Sequence, residues 1–269
     1  MPHHVVVVGH IEWVHFLRVD GVPSPGAILR APAERLEPAG GGGVAAADLA
    51  RITGRCLLVT ALGADELGQR IPEAMAAVGV DVVGPHRPEA HRQATTLIDP
   101  SGERTIIVVG PAQSATGAEI YPSLFDGVDA VYFCKGDAAL LRAARRARVL
   151  VATARCLEVV RRSGVCLDAL VRSGSDPSEA YQDGDLESVP ALIATTDGSR
   201  GGSWHTAAAS GRWSAAPLPA PQVDAYGAGD CFAAGLTWAL SAGMAPQEAV
   251  DFAATRGAAA LCRAGAGTS

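Results

Sequence analysis

The residues best placed to do chemistry lie in the stretch QVDAYGAGDCFAAG, residues 222–235, where two aspartates bracket a Gly-Ala-Gly turn at the mouth of an apolar helix. Gly227 and Gly229 allow backbone conformations that a side chain would forbid. Asp230 opens the run CFAAGLTWALSAG, so it stands where the unpaired N–H groups of a helix begin. Two readings are open on these residues alone. Asp230 could cap the helix, which is the commoner arrangement. Alternatively, the N–H groups of Gly227, Ala228 and Gly229 and the positive helix end could cradle a phosphate, with Asp230 facing it as a base.

The rest of the chain has to hold that turn in place, and 269 residues suffice for one large α/β domain with a small appendage. With 48% hydrophobic and 19% charged residues the composition is that of a folded globular protein, which excludes a disordered chain. No apolar run approaches the roughly 20 residues that span a bilayer. The opening MPHHVVVVGH lacks the basic start and the apolar length of a secretory signal, so a cytoplasmic protein with no membrane partner is expected. A net charge of −6 argues against a nucleic-acid partner. Of 22 basic residues Lys135 alone is a lysine, and no glycine loop precedes it, which excludes P-loop and protein-kinase chemistry. The six cysteines lack the close paired spacing of zinc sites, and the seven histidines lack metal-binding helical spacing.

Strand and helix patterns alternate along the chain. HVVVVGH is a continuous β-branched run suited to a central strand buried on both faces. Gly40 to Gly43 precede an alanine-rich helix that runs to about Thr53, and could be a hinge, a ligand contact or a flexible turn. CLLVTALG predicts a second buried strand and DELGQRIPEAMAAVG a helix. Residues 93–99 and 104–109 then flank Pro100, Ser101 and Gly102, a hairpin signal among strand-helix units. With residues 12–30 this hairpin could form a small sheet outside the main layer, either a lid or a dimer surface. From AVYF at 130–133 the alternation resumes and ends in helices at 230–242 and about 246–262, with Pro246 in the first turn of the second. The expected architecture is a single α/β domain over 1–269, with lid segments at about 12–30 and 91–110.

Three glycine-rich loops follow one another: GGGG at 40–43, TTDGSRGG at 195–202 and YGAGD at 226–230. In an open parallel sheet, loops leaving the strand C-termini converge on one crevice. The set resembles the ribokinase-like (PfkB) sugar and nucleoside kinases over nearly the whole chain. There a Gly-Gly loop opens the substrate site, Thr-x-Gly-x-x-Gly lines the nucleotide, and Asp-x-x-Gly-Ala-Gly-Asp carries the chemistry. The matching residues are Gly42 and Gly43; Thr196, Gly198 and Gly201; and Asp224, Gly227, Ala228, Gly229 and Asp230.

The resemblance implies a three-layer α/β/α sandwich with a mainly parallel central sheet and a small β lid. It implies phosphoryl transfer from ATP, with Mg²⁺, to a hydroxyl of a small acceptor. Asp230 would take the hydroxyl proton, and the Gly227–Gly229 loop would serve as anion hole. The family's Asn-x-x-Glu corresponds to Asp176-x-x-Glu179, where Glu179 would order water around the metal. Ala258, Ala259 and Cys262 would wall the adenine, and the lid would close over the acceptor and could pair two subunits into a homodimer.

The acceptor end departs from the pattern. Ala47 stands where sugar-binding members have an Asn, and Val14 where many have an Asp, with Glu12 and His15 nearby. Losing two hydroxyl readers disfavours a polyol with many hydroxyls to satisfy. Glu12 could substitute, Trp13 could stack on a sugar face or a base, and Arg92 or Arg104 could read a phosphate already on the acceptor. Three functions follow: a kinase for a sugar or sugar derivative, a nucleoside kinase of the same fold, and a catalytically idle ligand-binding descendant.

Overall fold

Val5 and Val7 pack into one apolar cluster and Val6 and Val8 into another, so the first strand lies between two helical layers. An unbroken apolar run is what such a position demands. The structure, a computed structural model, describes residues 4–268. In chain order its strands are β1 (Val5–Val8), β2 (Glu12–Arg18), β3 (Ala33–Ala39), β4 (Cys56–Val59), β5 (Leu62–Gly63), β6 (Val80–Val83), β7 (His86–Arg87) and β8 (Gln93–Ile98). They continue with β9 (Arg104–Val109), β10 (Ala130–Phe133), β11 (Val149–Thr153), β12 (Ala169–Ser173), β13 (Leu192–Thr196), β14 (Gly202–His205) and β15 (Ser210–Trp213). The helices are α1 (Gly40–Thr53), α2 (Glu66–Ala76), α3 (Ala138–Ala144), α4 (Leu157–Ser163), α5 (Ala228–Ser241) and α6 (Pro246–Leu261).

Nine strands form the main sheet in the order β15-β14-β13-β12-β11-β10-β1-β4-β6, parallel except near one edge, where β14 runs antiparallel to both β13 and β15. Leu49 of α1, Ile71 of α2, Phe232 of α5 and Ala253 of α6 pack on the face that carries Val5, Val7 and Val151. Leu140 of α3, Val160 of α4 and Phe125 cover the opposite face with Val6, Val8 and Leu150. The result is a three-layer α/β/α sandwich with a mainly parallel sheet. Strand order reverses between β1 and β10: β4 and β6 extend the sheet one way, β11 to β13 the other. Loops leaving the C-terminal ends of β1 and β10 diverge there and open a crevice, the usual ligand position in such sheets.

A second sheet, in the order β3-β2-β8-β9, stands beside the first. Strands β8 and β9 form the hairpin that the sequence indicates. The partner segment differs from the expected 12–30: β2 ends at Arg18, residues 19–32 add no strand, and β3 at 33–39 completes the sheet. The charges of AERLEPA and its Pro38 conceal that strand. As an edge strand, β3 loses little from the missing proline N–H. Val14, Phe16, Ala39, Ala94 and Ile98 turn one face of this sheet onto Val44, Tyr226, Cys231, Ala260 and Ala266. That packing ties the small sheet to the first turns of α1 and α5, which meet at the crevice.

Candidate active site

Gly227 adopts φ +73 immediately before α5, and a Cβ there would stand 2.6 Å from Val44 Cγ1, so only glycine fits. The helical ladder begins with the Cys231 N–H donating to Gly227 O at 2.9 Å. The N–H groups of Ala228, Gly229 and Asp230 precede that ladder, and no side chain caps them. Asp230 therefore does not act as the helix cap. Its carboxylate is buried, and Oδ1 accepts from the Tyr132 hydroxyl at 3.4 Å and faces Arg155 Nη1 at 3.7 Å. Among the described residues Oδ2 has no protein hydrogen-bond partner. Burial first, and the Asp230 charge second, push the Tyr132 phenol well above its usual range, so it remains a donor.

A second helix start faces the same carboxylate. Gly40 to Gly43 are the first turn of α1, not a loop before it. The Gly40 N–H donates to Tyr226 Oη at 3.1 Å, Gly41 N–H to His10 Nε2 at 3.3 Å, and Gly42 N–H to His10 O at 3.0 Å. The turn is pressed between the β1–β2 connection and Asp230. A Cβ on Gly42 would lie 2.6 Å from His10 O, one on Gly43 3.1 Å from Ile11 Cγ1, and one on Gly41 3.0 Å from Asp230 Oδ1. Burial brings the His10 imidazole down to about 4 against the pull of Asp230, so the ring is neutral near pH 7. Because Nε2 accepts from Gly41, the ring proton sits on Nδ1, a buried donor with no partner.

Beside Gly40, Glu12 is buried and ion-paired at 2.9 Å with Arg92 Nε. Burial raises the Glu12 carboxyl, and Arg92 opposes that shift. Val14 points instead into the apolar cluster under the small sheet, and Ala47 is fully buried in α1, so neither reads a hydroxyl. Trp13 is also unsuited to stacking on a base. Its ring is buried, its Nε1–H donates to Leu67 O at 2.7 Å, and the Arg70 guanidinium lies 5.1 Å above it.

Three strands from β10 in the sheet, Thr196 ends β13 with its hydroxyl donating to Arg172 O at 3.3 Å, and Gly198 and Gly201 shape the turn into β14. Asp224 does not join the site as expected. Its Oδ1 accepts from the Tyr226 N–H at 2.9 Å and its Oδ2 from the Gly265 N–H at 2.8 Å, a buried clamp between the two loops. On α6 Ala258 is buried and Ala259 half-buried, while the Cys262 thiol beyond it donates to Ala220 O at 2.9 Å. Glu179 is held by two partners: Arg155 Nε donates to Oε1 and the Ser173 N–H to Oε2, each at 2.7 Å. Asp176 caps its own turn, accepting from the Ser178 N–H at 2.9 Å.

No group of three potential ligating side chains occurs among the described residues. A magnesium ion carried on nucleotide phosphates asks for less, one or two carboxylates beside its waters. Asp176 and Glu179 are two carboxylates just beyond the end of β12, and both oxygens of Glu179 are engaged by protein donors. The residues that sequence reasoning missed are His10, Tyr132 and Arg155. Arg155 carried a usable signal, since it follows the C-terminal end of a buried parallel strand, where ligand-facing residues collect.

Comparison with known proteins gives the family and the fold. The family model of the pfkB family carbohydrate kinases matches residues 2–184 and 178–269. An ATP-dependent ribose-1-phosphate kinase from Halopiger xanaduensis is 27% identical, over 97% of this chain and 93% of its own. Among solved structures, the ribokinase of Thermotoga maritima superposes with a TM-score of 0.79 at 21% identity, covering 98% of this chain and 94% of that one. Arabidopsis thaliana ribokinase, complexed with ribose and ATP, gives 0.75 at 20% identity over 98% and 94%. The chain has the ribokinase fold and belongs to the pfkB family of carbohydrate kinases.

Proposed function

We propose that this carbohydrate kinase transfers the γ-phosphoryl group of ATP to a hydroxyl of a sugar or sugar phosphate, with Asp230 as base. One observation carries the reading: two helix N-termini meet at a buried carboxylate with one oxygen anchored and the other free. Oδ2 of Asp230 takes the acceptor's hydroxyl proton. The acceptor oxygen then bonds to the γ-phosphorus, the bond from that phosphorus to the β,γ-bridging oxygen breaks, and ADP leaves with the electron pair. The N–H groups of Ala228, Gly229 and Asp230 bind the charge on the moving group, and such preorganised donors supply much of the barrier reduction in phosphoryl transfer. Asp176 and Glu179 are the carboxylates that would meet the waters of a magnesium ion bound with ATP, which would supply charge neutralisation of the phosphates.

Glu12 and Arg92 favour a sugar derivative over a bare polyol, because a buried carboxylate and guanidinium together offer a mixed-charge contact in place of the missing amide and carboxylate. An acceptor that already carries a phosphate, as in the name of the Halopiger xanaduensis relative, suits Arg92. The nucleoside alternative loses its main support, since the Trp13 ring is buried and Arg70 lies over one of its faces. The small sheet is read as a lid over the acceptor, and its β9 edge as a contact between two copies of the chain.

ATP consumption with Mg²⁺ against pentoses, hexoses, their monophosphates and nucleosides tests the assignment. Acceptor-dependent turnover should fall roughly 100- to 10,000-fold in Asp230→Asn, with KM for ATP changed only a few-fold. Turnover with no acceptor in the panel, despite ATP binding, would favour the idle descendant.

A further inference from the structure

We propose that Arg155 is a catalytic residue that meets the transferring phosphoryl group, and that Glu179 is the positioning residue that aims it. This role presupposes the phosphoryl transfer argued above. Arg155 follows β11 at the crevice, in the short turn 154–156. Its Nε is fixed by Glu179, which is 4% exposed and whose second oxygen is fixed in turn by the Ser173 N–H. That chain of contacts orients the planar guanidinium fork.

The far end of the fork is loosely engaged. Nη1 lies 3.7 Å from Asp230 Oδ1, beyond hydrogen-bonding distance, and the side chain is 46% exposed although one partner is buried. An incoming phosphoryl oxygen can therefore take up Nη1 and Nη2 without breaking the Glu179 contact. Charge balance asks for such a cation. Asp230, Glu179 and Asp176 surround this position, and the triphosphate adds more negative charge. Of the three carboxylates, Asp176 stands where the family pattern has an uncharged Asn. Among the described residues Arg155 is the basic side chain ion-paired with both Asp230 and Glu179. The Asp230 charge foremost, with Glu179 adding to it, holds the guanidinium firmly protonated.

As the bond from the γ-phosphorus to the bridging oxygen lengthens, charge collects on the equatorial oxygens of the moving group. The α5 N–H groups bind them from one side and Arg155 from the other. The proton goes to Asp230 and the electron pair to ADP, so Arg155 neither gains nor loses a proton.

The test compares affinity for Mg²⁺–ADP alone and with fluoroaluminate, a planar mimic of the moving phosphoryl, by titration calorimetry. In the wild-type protein fluoroaluminate should tighten nucleotide binding. Arg155→Ala should leave Mg²⁺–ADP affinity within about two-fold and lose most of the fluoroaluminate gain, with kcat roughly 100- to 1,000-fold lower; arginines in comparable sites contribute this much or more. Arg155→Lys should recover only part of it. Glu179→Gln should lower kcat clearly more in the Arg155 protein than in Arg155→Ala, a coupling that a purely structural role would not give. An undiminished fluoroaluminate gain in Arg155→Ala, or its loss in Lys135→Ala instead, would overturn the assignment. So would a wild-type protein showing no gain at all. Failure of every acceptor in the turnover panel would strike the sugar-kinase reading and leave the calorimetric comparison intact.

Discussion

The backbone of Gly41 and the carboxylate of Asp230, 189 residues apart in sequence, approach so closely that a Cβ on Gly41 would stand 3.0 Å from Oδ1. The contact ties the first turn of α1 to the first turn of α5 and fixes which carboxylate oxygen stays free. Gly41→Ala should displace Oδ1 from Tyr132 and misdirect Oδ2. We expect kcat to fall roughly 10- to 100-fold, as for a base misplaced by a fraction of an ångström to 1 Å. Stability should hold or rise slightly, since alanine replaces glycine inside a helix at a gain of about 0.5–1 kcal/mol. Turnover measured beside thermal unfolding separates the two effects. A variant that loses both in parallel would mean that the contact only packs the helices.

Glu12 and Arg92 make a different claim about the acceptor. If Arg92 reads a phosphate, Arg92→Met should raise KM at least about 10-fold for phosphorylated acceptors and far less for their unphosphorylated counterparts. It should also leave Glu12 buried without its cation, whose presence opposes the burial that raises that carboxyl. Equal losses for both acceptor classes would reduce the pair to a structural tie between β2 and the residue before β8.

Much of this architecture is legible in sequence because period and burial are strongly coupled in the main sheet. Val5 to Val8, Val149 to Thr153 and Ala130 to Phe133 are continuous apolar runs buried on both faces. The small sheet is legible only in part. Strand β3 reads AERLEPA, and its polar side chains are mostly exposed on an edge, so no periodic burial marks it. Gly40 to Gly43 mislead for another reason: glycine ordinarily weakens a helix, and here close approach to His10, Ile11 and Asp230 overrides propensity. Motif spacing points to Asp230. It could not bring out Tyr132 or Arg155, which reach Asp230 from β10 and from the turn after β11 through pairings that no local pattern encodes. The same limit explains Asp224, whose motif position suggests a ligand contact but whose oxygens the fold uses to hold Tyr226 and Gly265.

Acid should weaken the fold through two histidines. Burial lowers both His10 and His91 from 6.5 to about 4; Asp230 opposes it at His10, where Arg92, Lys135 and Arg155 reinforce it, and Asp65 opposes it at His91. Between those values the unfolded chain binds protons at these positions that the native chain refuses. Stability therefore rises with pH across the window and is lost as pH falls from 6.5 toward 4. Urea unfolding at several pH values should show that slope, and His91→Asn should make it shallower. An identical slope in the variant would place the proton uptake elsewhere.

The edge of the small sheet makes the last prediction. Ile106, Ile107, Val108 and Val109 of β9 are 42%, 54%, 43% and 58% exposed, four consecutive apolar side chains on a strand whose outer hydrogen-bonding groups face no neighbour in the sheet. Natural edges are usually blunted by lysine, proline or a bulge, and a strand without them invites pairing. A second β9 edge, antiparallel to the first, would satisfy the outer backbone groups and cover these side chains in a self-complementary contact. Sedimentation at micromolar concentration should therefore give twice the monomer mass. Ile107→Lys with Val109→Lys should shift it to monomer, while α/β secondary structure by circular dichroism is unchanged. A wild-type monomer, or a dimer indifferent to both substitutions, would leave the exposed run without this partner and move the interface to another face.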